Sequence, residues 1–210
     1  MQPDPAFLVT SNSELSEMHG APLERAVRKQ LDHLDVHCRA FIAASPFCIL
    51  STQADCLGDA SPRGDTPGFV KVADDHTILI PDRRGNNRLD NLRNIVKNPV
   101  VGLLFLIPGI DETLRVNGNA QLSRDPALTS QFEVQGKTPK LVIVVQVKEA
   151  YAHCSRALVR SDLWKRAKAA GPDRGTVPTF GTMLETHTHG FVKADFVDED
   201  NKTRVPATLY

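Results

Sequence analysis

Short apolar and β-branched runs in the first half of the chain predict a series of strands. Residues 47–52, 69–73 and 78–80 form three such runs, bounded by polar, proline or glycine-containing turns. Residues 60–65 follow a polar turn and predict a further strand that ends at a Gly-Asp turn. Within residues 69–73 the pattern alternates, so that Phe69 and Lys71 share one face. These spacings predict closely connected strands rather than strands separated by long helices.

The same pattern continues after residue 98. Residues 100–107 are apolar throughout, which predicts a strand buried on both faces. Residues 113–122 alternate, with one face formed by Leu114, Val116, Ala120 and Leu122. A Pro-Gly pair at 108–109 joins these two runs, as in a hairpin. Another strand is predicted at 140–147, and its pattern can extend to Cys154. The fold class is therefore mainly β, an antiparallel sheet curled into a small barrel with flanking helices.

Helical spacing occurs on both sides of the strands. Apolar residues at threes and fours predict one long amphipathic helix over residues 23–44. Shorter helices are predicted over 126–134, from Ser155 onward with the single tryptophan, Trp164, and near 183–186. We expect a loose N-terminal arm over 1–22 and a barrel domain with its N-terminal helix over 23–170. Residues 171–210 are expected to be a poorly packed tail that lies on or near the barrel.

Residues 78–94, ILIPDRRGNNRLDNLRN, carry the most distinctive chemistry. Pro81 ends a short strand, and four arginines surround a glycine-asparagine turn, at Arg83, Arg84, Arg88 and Arg93. A helix follows, for which we predict Asn87 as the N-cap and an apolar face formed by Leu89, Leu92, Ile95 and Val96. Arginines beside a helix N-terminus can bind a phosphate. The alternative is a solvated turn whose arginines pair with nearby carboxylates.

Charge and cysteine content limit the function. Lys+Arg and Asp+Glu both number 25, so the net charge is zero, which favours a small anionic ligand over nucleic acid. The four cysteines form no Cys-x-x-Cys pair, and His33 and His37 have no third ligand, so no metal site is predicted. No stretch has the features of a signal peptide or a membrane span, and we expect a cytoplasmic protein.

An ordered series of short motifs carries a family resemblance. The series is Ser45-Pro46-Phe47, Ser61-Pro62-Arg63-Gly64-Asp65, Ile80-Pro81-Asp82-Arg83, Asn87-Arg88-Leu89-Asp90-Asn91-Leu92, Asn98-Pro99, Ile107-Pro108-Gly109 and Glu112-Thr113-Leu114-Arg115. In this order, over about residues 23–164, the chain resembles the FMN-binding flavoproteins related to pyridoxamine 5′-phosphate oxidase, in particular a bacterial branch of unassigned substrate.

The resemblance implies a homodimeric split β-barrel with FMN in a cleft at the dimer interface. It also implies that the strand ending at Asp82-Arg83 and the arginine-bearing turn after it hold the FMN phosphate, with Arg83, Asn87 and Arg88 as the phosphate contacts. Arg63 and Lys71 would lie nearer the ribityl chain or the flavin ring. The partner subunit would contribute Ser155, Arg156 and Trp164, with the indole against the flavin.

Each of these roles has a structural alternative. Arg63 can pair with Asp65, Lys71 can be a rim residue whose amine reaches water, and Trp164 can cover the end of the barrel.

The implied function is an oxidoreductase that passes hydride or electrons between a small substrate and FMN. No catalytic triad or carboxylate pair stands out, and flavin chemistry requires none. The C-terminal arginine–histidine segment of pyridoxamine phosphate oxidases has no match in residues 203–210, so vitamin B6 oxidation is not expected. The alternatives are a non-catalytic module that binds flavin, haem or deazaflavin on the same barrel and, more weakly, a protein whose arginine cluster binds acidic partners.

Overall fold

The fold is built on one antiparallel sheet of seven strands. The structure, a computed structural model, describes residues 2–168 and 176–210. Within these ranges the strands are β1 (Phe47–Ala54), β2 (Leu57–Gly64), β3 (Lys71–Asp74), β4 (Thr77–Pro81), β5 (Val100–Leu106), β6 (Thr113–Ser123) and β7 (Val142–His153). All of the predicted strands are present, and the last one extends beyond residue 147 as the pattern allows.

The strands lie in the order β2-β1-β5-β6-β7-β4-β3, and every neighbouring pair is antiparallel. β2 and β3 are the two edges and do not pair with each other, so the sheet does not close. The mainly antiparallel sheet with flanking helices is confirmed, and the open sheet is consistent with the predicted split barrel. The edge strand β2 contains Pro62, which lies opposite Ile49 of β1.

Short helices flank the sheet. Within the described ranges they are α1 (Asn12–His19), α2 (Glu24–Arg28), α3 (Val36–Ala44), α4 (Asp90–Lys97), α5 (Pro126–Thr129), α6 (Arg156–Ser161), α7 (Leu163–Lys168), α8 (Phe180–His187) and α9 (Ala194–Ala207), with 3-10 turns at Pro5–Phe7 and Ser130–Phe132. No helix among these residues combines the length and the apolar character that crossing a bilayer requires.

The core lies between one face of the sheet and the helices α3 and α4. Its largest fully buried side chains include Phe105, Leu103, Ile78 and Ile143 from three strands. A smaller cluster, which includes Leu79 of β4 and Val142 of β7, is covered by Phe132. Along β5 burial alternates, and Val100 is 54% exposed, so the prediction that this strand is buried on both faces is wrong.

The predicted helix over residues 23–44 is interrupted. α2 ends at Arg28, and Leu31 instead exchanges two backbone hydrogen bonds with Ala150 of β7. Asp35 then begins α3, because its carboxylate accepts a hydrogen bond from the backbone N–H of Cys38. A helical period in the sequence therefore spans two helices and the paired segment between them.

The predicted N-cap of α4 is also wrong. The helix begins at Asp90, and its N-cap is Leu89 in the left-handed conformation (φ 62°). Asn87 is left-handed too (φ 60°) and lies in the loop before the helix. Leu92 and Ile95 are buried as predicted, but Val96 is 76% exposed.

The regions that follow the strands differ from prediction in detail. The helix predicted over 126–134 is the short α5 followed by a 3-10 turn, and the helix predicted from Ser155 is two helices separated at left-handed Asp162. The tail is more ordered than expected, because α8 packs against α9 and the backbone N–H of Gly181 donates to Asp198 at 2.8 Å. The predicted boundary between domain and tail falls in residues 169–175, outside the described residues.

Candidate functional site

A cavity of about 950 Å³ lies where β4 ends and α4 begins. One wall is formed by β2, another by the loop 82–89, and a third by residues 137–140 together with Tyr210. Among the described residues its cationic side chains are Arg63, Arg83, Arg84, Arg88, Lys137 and Lys140, and its carboxylates are Asp82 and Asp90. Six cationic side chains against two carboxylates make the cavity favourable for an anionic ligand.

A polar network attaches α4 to the first two strands and thereby positions the loop 82–89. This loop carries Arg83, Arg84 and Arg88 and is called the arginine loop. Buried Asn91 donates to Thr52 Oγ1 at 3.0 Å and to Asp59 Oδ2 at 2.9 Å. Asn94 also donates to Thr52 Oγ1, at 3.0 Å. The side-chain oxygen of Asn91 in turn accepts from Arg63 Nη2 at 3.0 Å. One side chain thus connects a helix, two strands and an arginine of the cavity.

Arg63 keeps one donor without an acceptor. Its Nη1 donates to Pro62 O at 2.9 Å and its Nη2 to Asn91. Its Nε is buried and has no hydrogen-bond partner among the described residues. Pairing of Arg63 with Asp65, the alternative considered above, is not observed, because the Asp65 carboxylate binds Arg83 instead. A buried N–H without an acceptor is costly unless a ligand or water supplies one.

Arg83 is held on three sides. Its Nε donates to Asp65 Oδ2 at 2.9 Å and its Nη1 to the carbonyl oxygen of Phe132 at 2.8 Å. The ring centroid of Tyr210 lies 5.2 Å from the guanidinium carbon, a cation–π contact. The side chains of Arg83 and Asp65 are 19% and 3% exposed, so this is a largely buried ion pair.

Asp65 is well supplied with hydrogen bonds despite its burial. Its Oδ1 accepts from the Tyr210 hydroxyl at 2.6 Å and from the backbone N–H of Thr66 at 2.7 Å. Burial acts to raise the pKa of Asp65, but these two hydrogen bonds and the charge of Arg83 outweigh burial and leave the pKa below its ordinary value. The hydrogen bond to Asp65 raises the pKa of Tyr210. Asp65 is therefore a carboxylate at neutral pH.

The loop arginines are more exposed. The side chain of Arg88 is 74% exposed, and its Nε donates to Asp90 Oδ2 at 2.7 Å. The Asn86 side chain accepts from the backbone N–H of Arg88 at 3.1 Å, a local turn contact. Arg83 and Arg88 therefore pair with carboxylates, which is the alternative stated for the arginines of this loop. No ion pair of Arg84 or Arg93 occurs among residues 2–168 and 176–210.

Asp82 brings a carboxylate into this cationic cavity. Burial raises the pKa of Asp82, and the positive charges of Arg63 and Lys140 oppose that rise. Within the part of the chain that the structure describes, its carboxylate accepts no hydrogen bond. Asp82 is therefore available to accept a hydrogen bond from an N–H or hydroxyl group of a ligand.

A family comparison decides the membership of the chain. The family model described as pyridoxamine 5′-phosphate oxidase matches residues 34–154, more than half of the sequence. The chain belongs to the pyridoxamine 5′-phosphate oxidase family. The match begins before α3 and ends directly after β7, so it contains the whole sheet and the arginine loop. A comparison with curated proteins gives no match.

The solved structures that match this member of the pyridoxamine 5′-phosphate oxidase family are distant from it. Group A Streptococcus HupZ is 16% identical with a TM-score of 0.46, covering 55% of this chain and 90% of its own. General Stress Protein 26 from Bacillus anthracis is 18% identical, with a TM-score of 0.41 and coverage of 54% and 88%. The FAD binding protein from Mycobacterium smegmatis is 16% identical, with a TM-score of 0.40 and coverage of 58% and 95%. At these scores membership rests on the family match alone.

The residues assigned from the pyridoxamine 5′-phosphate oxidase family resemblance divide into two groups. Five of them line the cavity: Arg63, Asp82, Arg83, Asn87 and Arg88. The other four, Lys71, Ser155, Arg156 and Trp164, lie outside its lining in the single chain. Lys71 Nζ donates to Gln131 O at 2.6 Å, and Trp164 Nε1 donates to Ile110 O at 2.8 Å. The roles of all nine toward a cofactor stay predictions.

Sequence reasoning missed four residues of this site: Asn91, Lys137, Lys140 and Tyr210. Asn91 had a signal, because it lies one position before Leu92 on the face of α4 that packs on the sheet. The other three had none. Lys137 and Lys140 lie in a polar segment with no motif, and Tyr210 reaches a residue 145 positions away in the chain.

Proposed function

We propose that this protein is an FMN-binding flavoprotein that passes hydride or electrons between a small substrate and the flavin. The cofactor phosphate lies at Arg63, Arg83 and Arg88. The observation that carries the proposal is a cavity that six cationic side chains of the described residues line, one of which, Arg63, also has a buried Nε donor without an acceptor among those residues. A phosphate oxygen is the acceptor that such a donor favours.

The cavity suits a mononucleotide in size as well as in charge. Its volume of about 950 Å³ is at the upper end of the range of roughly 300–1,000 Å³ that is usual for cofactor and ligand sites. Asp82 would accept a hydrogen bond from a ribityl hydroxyl or a ring N–H, both of which FMN offers. The family membership supports this choice of ligand, because the resemblance of the sequence motifs to this family implies FMN.

The bound flavin would supply the redox chemistry, and the protein binds and orients it. Arg63 and Arg83 neutralise the phosphate, and the network through Asn91 holds the arginine loop in place. We further propose that the site is completed by a second copy of the chain, which contributes Ser155, Arg156 and Trp164. The position of these three residues outside the cavity lining of one chain supports this arrangement.

The first experiment is the visible spectrum of the purified protein. We expect a yellow protein whose flavin absorbance bleaches with dithionite, and mass spectrometry of the denatured sample should identify FMN. The apoprotein should bind FMN more tightly than riboflavin by roughly tenfold to a hundredfold, because charge-assisted hydrogen bonds contribute about 1.5–3 kcal/mol. A colourless protein that gains neither absorbance nor thermal stability with FMN would refute the proposal.

A pair of arginine variants tests the phosphate contact without disturbing the core. Arg88→Gln removes an exposed cavity arginine, and we expect it to weaken FMN binding about tenfold while riboflavin binding is unchanged. Arg93→Gln is the matched control, because Arg93 is exposed on α4, close after the loop, but lies outside the cavity lining. If the two variants change the affinity for FMN equally, the proposed phosphate site is refuted.

The partner contribution has its own test through Trp164, the single tryptophan of the chain. If the indole lies against the flavin of a dimer, titration with FMN should quench the tryptophan emission in proportion to bound flavin. Light scattering should give twice the mass of the chain. Stoichiometric FMN binding with unchanged emission would contradict the role of Trp164, and a monomer that binds FMN would contradict the shared site.

A further inference from the structure

Tyr210 joins three parts of the candidate site. Its hydroxyl donates to Asp65 Oδ1 at 2.6 Å, its ring centroid lies 5.2 Å from the guanidinium carbon of Arg83, and its backbone oxygen accepts from Lys137 Nζ at 3.0 Å. Tyr210 itself lines the cavity, and within residues 176–210 it is the only residue to do so. A residue from outside the matched family region thus contacts the arginine loop directly.

We propose that Tyr210 is a positioning residue for Arg83, and that it holds the guanidinium ready for the ligand phosphate. This inference rests on the proposed function. The side chain of Tyr210 acts through Asp65 and through its ring, and this side chain contributes no charge of its own to the phosphate.

The contacts of Arg83 explain how the positioning works. Asp65 and Phe132 engage Nε and Nη1, whereas Nη2 has no hydrogen-bond partner in the described ranges. The Tyr210 ring restricts the guanidinium from a third side. Arg83 therefore meets the ligand with an oriented donor, and little rotamer freedom is lost when the phosphate binds.

Tyr210 also acts on the charge of the ion pair. Asp65, whose side chain is 3% exposed, would by itself neutralise much of the positive charge of Arg83. The Tyr210 hydroxyl and the backbone N–H of Thr66 both donate to Asp65 Oδ1 and stabilise part of the carboxylate charge. More of the Arg83 charge is then left for the phosphate.

The opposite role, in which Tyr210 blocks the cavity, predicts the opposite sign. A blocking residue competes with the ligand, so that its removal strengthens FMN binding. A positioning residue assists the ligand, so that its removal weakens FMN binding and leaves riboflavin binding unchanged. The direction of the change in affinity therefore decides between the two roles.

The experiment compares Tyr210→Ala, Tyr210→Phe and the control Tyr151→Phe in the full chain. Tyr151 is the other tyrosine of the sequence, and it lies outside the cavity lining, where its hydroxyl accepts from Arg115. We expect Tyr210→Ala to weaken FMN binding roughly tenfold, Tyr210→Phe to weaken it about threefold because the ring is kept, and Tyr151→Phe to leave it unchanged. Equal or tighter FMN binding by Tyr210→Ala would overturn the inference.

A second readout needs no bound flavin. Phenylglyoxal modifies accessible guanidinium groups, and peptide mass spectrometry reports the rate at Arg83. We expect faster modification of Arg83 in Tyr210→Ala than in the parent protein, with the rate at exposed Arg93 unchanged as the internal reference. An unchanged rate at Arg83 would refute the positioning role.

The two readouts separate this inference from the proposed function. If the parent protein binds no FMN but the Arg83 rate depends on Tyr210, the proposed function fails and the positioning of Arg83 stands. If the parent protein binds FMN and both Tyr210 variants match it in affinity and in Arg83 rate, the inference alone fails.

Discussion

Gly118→Ala should lower the free energy of unfolding by about 3 kcal/mol, the upper part of the range for overpacking. A Cβ at Gly118 would overlap the carbonyl oxygen of Gln146 and lie 3.0 Å from its carbonyl carbon. Both atoms belong to the backbone of β7, so no side-chain rotation relieves the contact. The strands β6 and β7 must separate locally, and they form the longest pairing of the sheet in the described residues.

The close approach at Gly118 arises from an irregularity in strand pairing. Gly118 lies opposite Val147, whereas its neighbour Asn117 lies opposite Glu149, so that Lys148 is the extra residue of a bulge. Chemical denaturation followed by circular dichroism measures the effect. Gly58→Ala is the control, because a Cβ at Gly58 meets nothing within 4 Å, and we expect it to change stability by less than about 1 kcal/mol. Similar midpoints for the two variants would contradict the prediction.

Asp65→Asn should lower the free energy of unfolding by about 3 kcal/mol at neutral pH, the lower end of the range for breaking a buried ion pair. The substitution keeps the shape of the side chain but leaves the charge of Arg83 without its partner. We expect the lower end because Arg83 lines a cavity that water can enter. The measurement is again the free energy of unfolding from denaturant titration.

The effect of Asp65→Asn should depend on pH with a definite sign. The pKa of Asp65 in the folded protein lies below its ordinary value, so the carboxylate stabilises the fold above that ordinary value, about 3.9. This contribution is lost as the pH falls through the lowered pKa. The stability difference between parent and variant should therefore be full at about pH 6–7 and shrink below about pH 4.

Asp200→Asn is the matched control for this experiment. Asp200 pairs with Arg204 on the surface of α9, and the two side chains are 38% and 52% exposed. Such a pair contributes about 0.3–0.5 kcal/mol, so the control should remain close to the parent at every pH. If Asp65→Asn is as stable as Asp200→Asn at pH 7, the ion pair with Arg83 contributes little.

Local sequence patterns were sufficient to predict the strands. A strand that is buried on one face alternates apolar and polar residues, and this alternation is visible within a few neighbouring residues. β6 illustrates this, since Leu114, Val116 and Ala120 are buried as their alternation predicts. The interruption of the predicted helix at residues 29–35 was not found from spacing. Leu31 fits the helical period, but its backbone pairs with Ala150, far along the chain, and no local pattern reports such a contact.

The candidate site divides in the same way. The arginine loop was found because its residues are adjacent in the sequence and follow a strand. The partner of Arg83 could not be assigned, because Asp65 lies 18 positions away from it and has Arg63 as a much nearer neighbour in the sequence. Tyr210 has no local signal at all, since its contact with Asp65 exists only once the whole chain has folded.

Pro62 determines what can happen at the outer edge of β2. A proline has no amide hydrogen, so a paired strand tolerates it only where its nitrogen faces away from the partner, which here is β1. An extended peptide that approached this edge from solvent would lack one of the donors it needs. This margin of the sheet is thereby protected against fibril-like stacking of one molecule on the next.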